Sequence, residues 1–349
     1  MQAATRSISR QVSSNNQPLS LFELAEFDDV ATALIVDPYL GQQTHKMYRF
    51  PANTKLWPKL RHIITEHRTH SNFERTFDGL KAHISKLPDY SSPKIYEILA
   101  QNSKNPEDSK NDEFLAEQLT KLKYRFRSVA KYDLRGLSLL KKHLKLFVDL
   151  LDHKVSGIDL ADCASGRYSA DKKYECGAKI VSMRKFERGE TLEYLTGVVC
   201  DEKTDQDAEV IVPGVNDFSV TISTRTMENQ LWLGPAAYIN HDCNPNCKLR
   251  ATGTSKKTTA IYEITRKVEA GDELLLNYGN NYFRVGNSEC ECDTCRRKQK
   301  GAFAPNRVKH NSNSTEEKLT TDDELQSPNN PISIGKYKLR LDARSSRKN

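Results

Sequence analysis

The residues with the clearest chemistry stand in the last third of the chain. "CECDTC" sets Cys290, Cys292 and Cys295 in a C-x-C-x2-C array. Thiolates this close together are poorly spaced for disulfides with one another. They suit Zn²⁺, which takes four tetrahedral thiolate or imidazole ligands. The array lacks a fourth ligand. "GPAAYINHDCNPNC", from Gly234 to Cys247, offers Cys243 and Cys247, and more distantly His241. A shared zinc would clamp the C-terminal segment onto the "NHDC" stretch. The other cysteines, Cys163, Cys176 and Cys200, are scattered and read as small apolar residues of a core.

Charge and polarity narrow the classes. The leader "MQAATRSISRQVSSNNQ" carries no apolar stretch, so reduced thiols are expected rather than disulfides. No run of 18 apolar residues exists, so a membrane span is not expected. The net charge of +7 is uneven: six Lys or Arg and no acid lie between Arg296 and His310. The last fourteen residues hold six more against Asp342. Such ends favour phosphate or acidic partners.

The elements that must position the cysteines follow from periodicity. Residues 1–20 read as a disordered leader. "LFELAEFDDVATALIVDPYLG" has helical spacing and a stop at Asp37-Pro38. Short helices fit 54–100. Leu115, Leu119, Leu122, Phe126 and Val129 predict one amphipathic helix, and Leu137, Leu140, Leu144, Phe147 or Val148, and Leu151 another. A helical N-terminal domain over 21–155 is therefore expected. After it come short β-rich pieces: "GAKIVSM", "TLEYLTGVVC", "AEVIVPG", "DFSVTIST", "KLRAT", "TTAIYEI" and "ELLLNYG". Strands without long helices between them argue against a doubly wound fold and for small, mostly antiparallel sheets, hence an α+β class. From 304 to 349 the chain reads as a disordered basic tail.

These motifs resemble a known family. "YINHDCNPNC" is similar to the asparagine-histidine motif of SET-domain lysine methyltransferases. "EAGDELLLNYG" resembles their second motif, "CECDTC" their post-SET segment, and "CGAKIVSMRKFERGETL" their first. "WLGPAAYINHDCNPNC", "STR", "RYSADKKYECGAKI" and "DPYLGQQTHKM" resemble the branch that methylates lysine 20 of histone H4. The resemblance implies a SET domain over 156–285, with a pseudoknot of small sheets, and a zinc-binding post-SET segment over 286–303. It implies S-adenosylmethionine as methyl donor and one structural zinc held by Cys243, Cys290, Cys292 and Cys295, with Cys247 left over.

By the same resemblance Tyr278 is the catalytic residue, orienting the methyl group and the lysine nitrogen. Tyr238, Tyr282, Phe283 and Ser223 are expected at the substrate channel. Tyr168, Ser169, Ala170, Asp171, Ala178, Arg225, Asn240, His241 and Glu291 are expected at the cofactor. The loop near Asp171 is about two residues longer than the branch pattern. The implied partners are the histone H4 tail and the nucleosome in nuclear chromatin, with non-specific DNA contact open to the basic C-terminal stretches. Two rivals share most of these residues: a methyltransferase of a non-histone lysine, and a zinc-bound chromatin adaptor without activity. Asn240, His241 and Tyr278 all being present speaks against the second rival.

Overall fold

The computed structural model describes residues 19–47, 52–87, 134–163, 177–201, 210–211, 216, 218–223, 228–252, 259–305 and 339–341. The helix expected over 115–129, the loop residues Tyr168, Ser169, Ala170 and Asp171, and Arg225 lie outside the described residues, as does the side chain of Ser223.

Helix α1, Leu21–Ala31, begins at a capping box. The Ser20 hydroxyl accepts the Glu23 amide at 3.1 Å, and the Glu23 carboxylate accepts the Ser20 amide at 2.9 Å. The expected stop at Asp37-Pro38 does not occur there. The helix widens into a π-helical stretch over Thr32–Val36, resumes over Asp37–Leu40 and ends at Gly41 with φ 77°. Pro38 stands in the first turn of the resumed segment, directly after the π-helical stretch, the helical position where a proline is best tolerated. Helices α2, Trp57–His70, α3, Phe73–Lys81, and α4, Leu134–Leu151, add to the helical layer. Leu140, Leu144, Phe147, Val148 and Leu151 form the buried stripe of α4, which packs on α1.

Among the described residues the strands form four small sheets. Strand β1, Ile158–Asp162, which its sequence did not announce, pairs antiparallel with β2, Ala178–Ser182. Strands β3, Thr191–Leu192, β9, Thr259–Ile264, and β8, Cys247–Thr252, form a second sheet in that order, antiparallel throughout. Strand β6, Asn229–Leu233, lies between β4, Val198–Asp201, and β5, Val220–Ser223, antiparallel to both. Strand β11, Leu339–Leu341, extends this sheet in parallel beside β5, although the tail reads as disordered in sequence. The fourth sheet is two residues wide and parallel: β7, Asn240–His241, pairs with β10, Leu275–Leu276. That pairing brings two distant segments side by side. No described helix is long and apolar enough to cross a membrane.

Helices and sheets share one core. Phe27, Leu34 and Phe147 from the helical layer belong to the same buried cluster as Leu160, Ile180, Trp232 and Tyr262. Polar ties cross the same boundary. Asp28 in α1 accepts the Gly234 amide at 2.8 Å and faces Nε2 of His143 at 2.9 Å. The helical layer thus grips the turn that leads into β7.

Candidate active site and cysteine centre

The β7–β10 pairing decides the site. The Asp242 amide donates to the Leu276 carbonyl at 3.0 Å, one step beyond the strand pair. Asn246 extends the clamp: its amide nitrogen donates to the Glu273 carbonyl at 2.8 Å, and its Oδ1 accepts the Leu275 amide at 2.8 Å. An asparagine side chain here substitutes for a strand neighbour. Asp242, 2% exposed, reaches the third segment, accepting the Thr294 amide at 3.2 Å. Asp242 and Asn246 were not singled out from sequence. Their polar types inside a buried motif were the available signal.

Tyr278 stands at the centre. Its amide donates to Nδ1 of His241 at 3.0 Å, and its hydroxyl donates to the Ile239 carbonyl. Burial pushes its phenol well above its ordinary value, with Tyr262 and Glu273 adding to the effect. The hydroxyl therefore stays protonated at neutral pH. A cleft of about 340 Å³, counting its mouth, opens beside it. Phe218, Ser219, Thr221, Trp232, Ile239, Tyr262 and Tyr278 line it. Phe218, Trp232 and Tyr262 were missed from sequence because each reads as a core aromatic at a strand position. Among the described residues the Trp232 indole nitrogen, buried, has no hydrogen-bond partner.

The other expected channel residues are divided. Tyr282 meets Tyr278 edge-on with ring centroids 4.8 Å apart, and Phe283 lies 6.5 Å from Tyr278 in a stacked arrangement. The Tyr282 hydroxyl donates to the Phe218 carbonyl at 3.4 Å. Tyr238 is placed elsewhere. It is 2% exposed, with its hydroxyl 3.2 Å from Thr32 Oγ1 and its ring near His45 and Phe147. It points into the helical layer because the turn over Pro235–Tyr238 carries it onto α1's extension. Ser223 stays on β5, whereas Ser219 and Thr221 of the same stretch line the cleft.

Of the residues expected at the cofactor, Ala178, Asn240, His241 and Glu291 are described. The Asn240 amide nitrogen donates to the Ala178 carbonyl at 3.2 Å and to Glu273 Oε1 at 3.0 Å. His241 is fully buried. Glu291 is exposed.

Four cysteines converge. Cys243 Sγ lies 3.9 Å from Cys290 Sγ and 3.5 Å from Cys295 Sγ. The amides of Cys243 and Cys295 donate to Cys292 Sγ at 3.5 and 3.3 Å, the latter capping helix α5, Asp293–Lys298. Tetrahedral zinc with Zn–S bonds of about 2.3 Å has sulfur–sulfur edges of about 3.8 Å, so the spacing fits the ion. Cys292 is held far below the ordinary thiol range, first by the hydrogen bond from Cys290, then by His241 and the two amides. Cys290, the donor in that bond, is pushed up. Gly301, with φ 58°, closes the segment: a Cβ there would meet the Cys290 carbonyl at 2.4 Å. Cys247 is not in the group. It sits on β8, 1% exposed in the main core, and burial pushes its thiol up to about 12.

Comparison with known proteins points to one family. Residues 177–279 match the SET domain family. The chain is 33% identical over 306 residues to histone-lysine N-methyltransferase Suv4-20 of Caenorhabditis elegans, spanning 87% of this chain and 90% of that protein. It is 32% identical over 282 residues to the Suv4-20 protein of Caenorhabditis briggsae, spanning 81% and 72%. It is 26% identical over 335 residues to histone-lysine N-methyltransferase set9 of Aspergillus terreus, spanning 94% and 45%.

Proposed function

The chain belongs to the SET-domain histone-lysine N-methyltransferases of the Suv4-20 type, S-adenosylmethionine-dependent enzymes, and we propose that its target is lysine 20 of histone H4 in nuclear chromatin, carried to the dimethyl and trimethyl states. The observation that carries the reading is the Tyr278 hydroxyl, anchored on the Ile239 carbonyl at an aromatic-lined cleft. The branch-like "WLGPAAYINHDCNPNC" forms both the wall of that cleft and the strand behind it.

S-adenosylmethionine supplies an electrophilic methyl on a cationic sulfur. The chain's own residues do the rest by positioning. Phe218, Trp232, Tyr262 and Tyr282 surround the approach of an alkyl ammonium, and aromatic faces hold a methylated ammonium well. Tyr278 donates its proton to Ile239, which leaves its oxygen lone pairs to accept from the lysine nitrogen. A neutral phenol cannot serve as a strong base, so the amine must lose its proton to solvent, helped by the neighbouring positive charge. The Asn240 amide nitrogen is engaged by Ala178 and Glu273, so its oxygen and the His241 backbone remain for the cofactor, together with Tyr168, Ser169, Ala170, Asp171, Arg225 and Glu291.

Zinc held by Cys243, Cys290, Cys292 and Cys295 keeps the post-SET segment on β7. The helical domain over 21–155 and the SET domain over 156–285 act as one body. The basic stretches at 296–310 and in the tail favour nucleosome and DNA contact by counterion release. The test is mass spectrometry of histones after incubation of recombinant nucleosomes with S-adenosylmethionine and the chain. Methyl groups on H4 lysine 20, reduced about 100-fold or more by Tyr278→Phe, are expected. Methylation confined to other lysines would defeat the substrate reading.

A further inference from the structure

We propose that His241 is a positioning residue that ties the cysteine centre to the backbone of Tyr278. The imidazole has one partner on each side. Its Nδ1 lies 3.0 Å from the Tyr278 amide nitrogen. An amide N–H only donates, so Nδ1 accepts and carries no proton. The neutral ring then holds its proton on Nε2. That nitrogen lies 3.4 Å from Cys243 Sγ, and the ring also hydrogen-bonds Cys292. Nε2 is therefore an N–H donor to sulfur.

Two consequences follow. A protonated Nε2 cannot ligate a metal, although His241 lies close enough to Cys243, Cys290 and Cys292 to be counted among candidate ligands. The donor set is thus four sulfurs, and His241 is the group that orients them from behind, as partners of metal ligands do. Second, the ring cannot swing away. It is fully buried, with centroids 5.4 Å from Tyr278 and 5.1 Å from Phe283. Where the sulfurs sit fixes the ring, and the ring fixes the Tyr278 amide whose hydroxyl is anchored on Ile239. The integrity of the cysteine centre is thereby transmitted to the catalytic hydroxyl through the imidazole and the Tyr278 backbone.

This inference rests on the zinc reading above, and its test separates the two. The full chain is loaded with zinc or cobalt(II). In the metal-loaded wild type, the ¹⁵N resonance of His241 Nε2 is expected at a protonated, donor-type position; a metal-bound, unprotonated position overturns the inference. Two variants then divide the bonds. In His241→Asn, the side-chain oxygen takes the place of Nδ1; in His241→Gln, the amide nitrogen takes the place of Nε2. Both are expected to hold one metal with a four-thiolate cobalt spectrum, and only Asn to shift the sulfur-to-cobalt charge-transfer band. Both are expected to lower kcat about tenfold with KM for S-adenosylmethionine within about threefold, as loss of such outer partners does. Metal-loaded variants with unaltered kcat, or a cobalt spectrum missing a ligand, overturn the inference alone. A wild-type chain that binds no metal defeats the zinc reading and the inference with it.

Discussion

Gly197→Ala tests whether the wall beside Tyr278 is a fitted surface. A methyl group at Gly197 would lie 1.9 Å from Nε1 of Trp232 and 2.7 Å from its Cδ1 and Cε2. Ordinary carbon contacts lie at about 3.5–4.0 Å, so the indole must withdraw by roughly 1.5 Å. It has little room. Trp232 is 4% exposed, its backbone is paired with Val199 of β4, and its ring meets Tyr262 edge-on at 6.4 Å. Overpacking of this kind costs about 1–3 kcal/mol. A cost of about 2 kcal/mol lowers Tm by roughly 4–8 °C in a domain of this size. The displaced indole also narrows the cleft that it lines with Tyr278. KM for a histone peptide is expected to rise about fivefold, equivalent to about 1 kcal/mol of lost contact, with KM for S-adenosylmethionine nearly unchanged. Thermal unfolding and steady-state methyl transfer on the same preparation measure both. A Tm within about 1 °C of wild type together with a peptide KM within about twofold would refute the reasoning.

Other perturbations reach different parts of the site. Cys243→Ser should reduce bound zinc well below one per chain, whereas Cys247→Ser, remote from the other sulfurs, should retain it; elemental analysis after dialysis against a weak chelator decides. Asp28→Ala removes the acceptor of the buried Gly234 amide and of His143, and should cost at least about 2 kcal/mol in a denaturant titration. His45 is pushed down from 6.5 to about 4, chiefly by burial, with Asp28 opposing and Lys46 assisting. The unfolded chain therefore binds this proton more readily, so its contribution to stability is complete above pH 6.5 and is lost as pH falls toward 4. His45→Gln should flatten the fall in denaturant midpoint across that window, and an unchanged slope would count against the assignment.

Much of the site was legible in sequence because its chemistry is local. C-x-C-x2-C is a metal pattern whatever surrounds it, and the period of α4 alone predicted its buried stripe. The order of the short motifs carried the resemblance to the family. The limits were also physical. Asp37-Pro38 looked like a stop because sequence does not display the π-helical turn that makes a proline harmless there. Strand β7 is two residues long, with no period to detect, and exists only because Leu275–Leu276 lies beside it. Tyr278 was expected at the methyl group and Tyr238 at the substrate channel, both from their place beside short motifs. The β7–β10 pairing and the grip of α1 send one into the helical core and leave the other at the cleft. The fourth sulfur was likewise a choice between Cys243 and Cys247 that spacing alone leaves open. In the structure Cys243 sits beyond the end of β7, facing Cys290 and Cys295, while Cys247 begins β8 and turns into the core. Residue types determined which chemistry was available; long-range pairing decided which copies of each type perform it, because the partners lie far apart in the chain.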